Sequence, residues 1–232
     1  FGKPIQLVLP ATYGAGGGKR RRRARTRAKV LQDKATRAWH FFVAPYNKRG
    51  GIPCRLTRST TALTTCYEGI AFYPSCDEER VETSVAQVFD ERGDGYIVRG
   101  GLAITDKDDR VPHLSESDAR QILIDALKLY RQEHKTFPAR VVVHKTSRFT
   151  LPERQGCLAA AKELRIDEAD LIACGRSFAR LFRAGAYPPL RGTLWSLDDR
   201  HHVLYTRGSV DFFGTYPGLY VPLPLALELD SV

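Results

Sequence analysis

The 232-residue chain is 43% apolar and carries a net charge of +10, enough for one large core or one domain plus part of another. No apolar run reaches the ~20 residues of a membrane span and none reads as a signal peptide, so no membrane partner is expected and the location expected is cytoplasmic. The five cysteines, Cys54, Cys66, Cys76, Cys157 and Cys174, include no CxxC pair, which argues against zinc and for reduced thiols.

The chain opens on Phe1 and contains no methionine, and is read as a piece of a longer protein. Ile5–Leu9 reads as a short buried strand. Residues 19–29 hold eight basic residues and no acid, so the remainder of the chain carries only +2 of its +10. With the glycines at 14 and 16–18, this run reads as a solvated segment with affinity for polyanions. Asp33 caps a helix with Ala35, Ala38, Trp39, Phe42 and Val43 on one stripe, and Pro45 is expected to kink or end it. A domain boundary is placed in the polar, β-branched stretch 57–65.

Beyond it, Cys66–Tyr73, Thr83–Asp90 and Gly95–Arg99 read as three successive strands, with Asp94-Gly95 as a hairpin signal. Ser115 with Asp118 starts a helix whose buried face is Ile122, Leu123, Ala126, Leu127 and Tyr130. Ala139–His144 is a strand buried on both faces, Pro152 opens a helix through Leu164, and Leu171–Cys174 is a further strand. Three meandering strands, a helix, a buried strand and a helix is the order expected of an RNase H-like α/β domain.

Several acidic clusters have the residue types of metal sites but not the pattern. Asp90, Glu91 and Asp94 read as hairpin-turn acids, Asp106, Asp108 and Asp109 as a solvated loop without EF-hand spacing, and Asp198, Asp199, His201 and His202 as a polar turn. Tyr187, Tyr205 and Tyr216 read as core or corner residues of Pro-rich turns. Ser147 and Ser209 lack a defined His/Asp arrangement for nucleophilic catalysis.

Motifs spread along the chain carry a resemblance. They include Pro4-Ile5-Gln6, Thr36-Arg37-Ala38-Trp39, Tyr46-Asn47-Lys48-Arg49-Gly50-Gly51, Thr83-Ser84-Val85-Ala86-Gln87-Val88-Phe89, Val98-Arg99-Gly100-Gly101, Val142-Val143-His144-Lys145-Thr146-Ser147-Arg148-Phe149, Tyr187-Pro188-Pro189-Leu190-Arg191-Gly192-Thr193 and Thr215-Tyr216-Pro217-Gly218. In their shared order they resemble the MID–PIWI region of prokaryotic Argonautes, and look most like the nuclease-inactive branches. The resemblance implies an RNase H-like PIWI domain at 58–232, truncated at its C-terminus. Before it lies the C-terminal half of a Rossmann-like MID domain at 1–57, with the basic Gly/Arg insertion at 14–29.

It also implies partners and sites. A short guide RNA (or DNA) would be held and paired with a complementary DNA (or RNA) target, in prokaryotic defence and alongside a separate effector protein. Gln6 and Lys48 match positions that bind the guide 5′ phosphate, a neutral donor and a point charge suited to phosphate oxygens, and the resemblance allows a divalent cation, Mg²⁺, at that phosphate. His40 stands where the family touches the first guide nucleotide, usually with Asn. Lys145, Arg148, Arg183, Arg191 and Arg207 are candidates for nucleic-acid backbone contacts.

Slicing Argonautes use two metal ions held by converging carboxylates. Here Ala71 and Thr146 stand where slicers carry Asp, so no catalytic cofactor and no cutting are expected. Two alternatives stay open: a guided endonuclease of RNase H-like fold using atypical ligands, and a basic scaffold that binds nucleic acid without a guide.

Overall fold

The computed structural model describes residues 5–8, 33–52, 57, 63–74, 81–90, 93, 95–100, 103–105, 111–185, 189–210 and 222–230. The basic run, the acids at 91, 94, 106, 108 and 109, and Tyr187 and Tyr216 lie outside them. Two compact units divide the chain, Phe1–Arg55 and Leu56–Val232.

In the first unit, helix α1 spans Lys34–Lys48. Asp33 caps it, accepting the Thr36 amide at 3.0 Å and the Thr36 hydroxyl at 2.5 Å. Pro45 does not end this helix. Its fixed φ is helical and its missing N–H costs one bond, while its own carbonyl accepts the Arg49 amide at 3.1 Å in the closing turn. The apolar stripe is exposed at Trp39 and Phe42, and the Phe42 ring stacks on Tyr46 at 5.9 Å. The strand expected at Ile5–Leu9 does not form over the described residues 5–8. A strand needs a ladder partner, and here Ile5 and Leu7 face solvent.

The second unit is built on one eight-stranded mixed sheet. Strands β1 (Thr65–Pro74), β2 (Val81–Phe89) and β3 (Gly95–Val98) form an antiparallel meander. The short β4 (Ile104–Thr105) and β5 (Pro112–His113) pair with each other alone. Helix α2 (Glu116–His134) leads to β6 (Arg140–Lys145), and α3 (Leu151–Glu163) joins β6 to β7 (Glu168–Arg176). The last strands are β8 (Leu194–Ser196), β9 (His201–Leu204) and β10 (Leu225–Leu229). The sheet order is β3-β2-β1-β6-β7-β10-β9-β8, with β1, β6 and β7 parallel and the remaining neighbours antiparallel.

Alternation sets which side chains meet the helices. Cys66, Glu68 and Ile70 of β1 and Val141, Val143 and Lys145 of β6 are all buried. They face the apolar stripe of α2, where Ile122, Leu123, Ala126, Leu127 and Tyr130 are buried as the spacing requires. Ser115 caps α2 through the Asp118 amide, and Thr150 caps α3 in a reciprocal capping box with Glu153. The two helices touch closely at Gly156, where a Cβ would run into the Glu116 carbonyl and stand 3.0 Å from the Ala119 Cβ. Asp90 is not a solvated turn acid: it is buried, with its carboxylate 3.7 Å from the His134 ring.

Candidate nucleic-acid interface

The parallel ladder between β1 and β6 closes on the pair Ile70–Lys145. Ala71 comes next within β1 and Thr146 next after β6 ends, and both are exposed. The two positions expected to have lost catalytic carboxylates therefore each follow directly on the last pair of the parallel ladder.

Lys145 points the other way. Its ammonium is fully buried and donates to both Glu153 carboxylate oxygens, at 2.5 and 2.7 Å, and to the Arg148 carbonyl at 3.2 Å. Phe72 and Phe149 rings lie 5.6 Å from it, and His113 Nδ1 is 3.3 Å away. Glu153 also accepts the amides of Leu114 and Thr150, each at 2.8 Å. Burial pushes the Glu153 carboxyl up, but hydrogen bonds from Lys145, Thr150 and Leu114 hold it below its ordinary range. Burial likewise lowers Lys145, against the pull of Glu153. The pair locks the loops before α2 and α3 to the end of β6. Expected at a phosphate contact, the Lys145 ammonium is instead buried and committed to Glu153. Glu153 was not singled out from the sequence, although Thr150-x-x-Glu153 is a readable capping box.

Glu68 is also fully buried, and both its oxygens lack a hydrogen-bond partner among the described residues. Burial alone raises its carboxyl to about 8. Ala71 lies three positions further along β1, an odd step, so alternation turns the two side chains to opposite faces. Among the described residues, no three His, Cys, Asp or Glu side chains gather as a metal site. Asp198 accepts the Arg200 and His201 amides at 2.8 and 2.7 Å, closing the expected polar turn between β8 and β9.

The remaining arginines fall into two places. Arg148 follows β6, its side chain 80% exposed and its Nε 2.8 Å from Glu228 of β10. Arg183, Arg191 and Arg207 sit in loops gathered around the buried Tyr205. The Tyr205 hydroxyl accepts the Leu181 amide at 2.8 Å, its carbonyl accepts the Gly192 amide at 2.7 Å, and Arg191 donates its amide to the Ser209 carbonyl at 2.8 Å. Gly208 is required there, since a Cβ would collide with the Pro189 carbonyl. Arg191 and Arg207 are exposed and Arg183 half-buried. A groove of about 540 Å³ begins at Thr146, Ser147 and Arg148 and runs over β7, β10, β9 and β8. It was not foreseen, because its strands meet only after long returns of the chain.

In the first unit Lys48 donates to the Ile5 carbonyl, which brings it beside Gln6, and Gln6 donates to the Leu7 carbonyl at 2.9 Å. Both side chains are exposed, as is His40, which lies about 12 Å of helical rise before Lys48 on α1.

No protein-family model and no curated protein matches the chain. Solved structures do. Clostridium butyricum Argonaute bound to a guide DNA and a 19-mer target DNA aligns over 88% of this chain and 26% of its own, at 17% identity and a TM-score of 0.61. The fold is similar to that of a prokaryotic Argonaute. Marinitoga piezophila Argonaute in complex with 5′ OH guide RNA aligns over 72% of this chain and 23% of its own, at 14% identity and a TM-score of 0.47. The chain thus spans about a quarter of the length of these Argonautes. No helix among the described residues is long and apolar enough to cross a membrane.

Proposed function

We propose that this chain is the MID–PIWI portion of a prokaryotic Argonaute that holds a short guide strand and pairs it with a complementary target without cutting. The fold likeness supports the family, and the order β3-β2-β1-β6-β7 is the one expected of an RNase H-like domain. The observation that carries the reading is that Ala71, within β1, and Thr146, just past β6, each follow directly on the last pair of the β1–β6 ladder, Ile70–Lys145. Two-metal hydrolysis needs carboxylates converging at such a point; the methyl of Ala71 offers no ligand oxygen, and the neutral hydroxyl of Thr146 is a poor replacement for a carboxylate. Glu68 does not replace them, because it is buried toward the helices.

Binding without cutting asks for phosphate contacts that fix register while base pairing selects the target. Arg148, Arg183, Arg191 and Arg207 are the groups we assign to that role. Gln6 and Lys48 are assigned to the guide 5′ phosphate. Their carboxamide and ammonium suit an anion and offer no carboxylate to Mg²⁺, so any ion there would be held by the phosphate. An RNA guide, a DNA target, a role in defence and a separate effector complete the proposal.

The test is retention of labelled target on the full-length protein loaded with a 5′-phosphorylated guide. Matched target retained well above mismatched target supports the reading. Equal retention of both, or retention without guide, would make the protein a guide-independent scaffold.

A further inference from the structure

We propose that the groove running from Thr146 over β7, β10, β9 and β8 receives one unpaired nucleobase of the bound strand, stacked on the indole of Trp195. The inference rests on the nucleic-acid-binding reading above and names the part of the strand that this surface takes.

Strand pairing builds the groove. Ala226 pairs with Gly175 on one side and Val203 on the other, and Val203 pairs with Trp195. Directly paired residues project to the same face. Gly175 and Ala226 are small, and a Cβ at Gly175 would meet nothing within 4 Å, so the floor dips. Trp195 stands as the wall, 40% exposed. The resulting hollow of about 540 Å³ falls within the range of small-ligand pockets.

The polar groups at its head define the ligand. Ser147 lines the groove, and its buried hydroxyl has no hydrogen-bond partner among the described residues. A buried hydroxyl in that state calls for a donor or acceptor. Beside it the Arg148 side chain is 80% exposed; its Nε is held by Glu228, which also lines the groove, and the two terminal nitrogens of the guanidinium remain to meet a phosphate. An apolar floor, a π wall, an unanswered hydroxyl and a cation together fit a flat ring with a polar edge and an attached phosphate. An aliphatic side chain would leave Ser147 unanswered. Stacking of this kind tolerates any base, since every base has a π face.

The experiment uses the full-length protein and oligonucleotides carrying 2-aminopurine at successive positions. One position, or two adjacent ones, is expected to show quenched emission on binding. Trp195→Ala should abolish that quench and weaken binding roughly fivefold or more, Trp195→Phe should keep most of both, and Ser147→Ala should change the position dependence. Melting curves identify any variant that fails to fold, and Trp195→Phe keeps the test valid in that case. Strand binding that persists with a quench indifferent to Trp195→Ala would overturn the base site and leave the proposed function standing. Absence of any strand binding would overturn both.

Discussion

Ala71 and Thr146 stand abreast, each one residue past the Ile70–Lys145 pair that closes the parallel ladder of β1 and β6. Their neighbours Ile70 and Lys145 are buried toward the helices, whereas they are exposed. The end of this ladder is thus divided by strand alternation. One side is the surface that carries Ala71 and Thr146, and the other is a locked ionic core.

That core sets a stability prediction. Lys145→Met leaves Glu153 buried without its cation, and loss of one partner of a buried pair costs roughly 3–5 kcal/mol. The melting temperature should fall by roughly 6–20 °C for a domain of this size. Lys145→Met combined with Glu153→Gln should recover part of the loss, as read by urea unfolding of both variants.

Glu68 predicts a pH dependence. Its ordinary value is 4.5 and burial raises it to about 8, so the folded chain keeps a proton that the unfolded chain releases. The stability contributed by Glu68 is full below about pH 4.5, falls as pH rises toward 8, and then levels off. The full loss is on the order of 5 kcal/mol. Glu68→Gln, which cannot ionise, should be the more stable protein at pH 8–9 and close to the parent at pH 5, measured by denaturant midpoints across that range.

At the helix contact, Gly156→Ala places a methyl against the Glu116 carbonyl, which is backbone and yields poorly. Overpacking of this kind costs roughly 1–3 kcal/mol. A lowered unfolding midpoint, with helical circular dichroism retained in the folded protein, is the expected result.

The arginine loops give a binding prediction. Arg191 and Arg207 are exposed, so replacing both with Ala should leave the melting temperature unchanged. If they neutralise phosphates, the slope of log affinity against log salt should lose roughly 0.8 for each. Lys145→Ala should not act this way, because its ammonium is spent on Glu153. Filter binding from low to moderate salt reads both.

Much of this fold was legible because local signals agreed. Asp33 and Ser115 cap their helices as read, and the apolar stripe of α2 fixes its buried face. What failed was non-local. Ala139–His144 read as a buried strand, yet nothing nearby in sequence says that Lys145 is the next inward residue, because its partner arrives on the first turn of α3. Strand β7 reaches Glu168–Arg176 rather than Leu171–Cys174, since its charged start is held in place by Arg140, 2.6 Å from Asp170. The groove needed β10 to return between β7 and β9. Ala71 and Thr146 were singled out by resemblance, and only the register sets them side by side.

The most direct test of the central claim is incubation of the guide-loaded full-length protein with end-labelled matched target in Mg²⁺ or Mn²⁺, resolved on a denaturing gel. We predict intact target, bound in a guide-dependent way. A discrete cut within the paired region would contradict the account and mean that carboxylates other than those lost at Ala71 and Thr146 hold the metals.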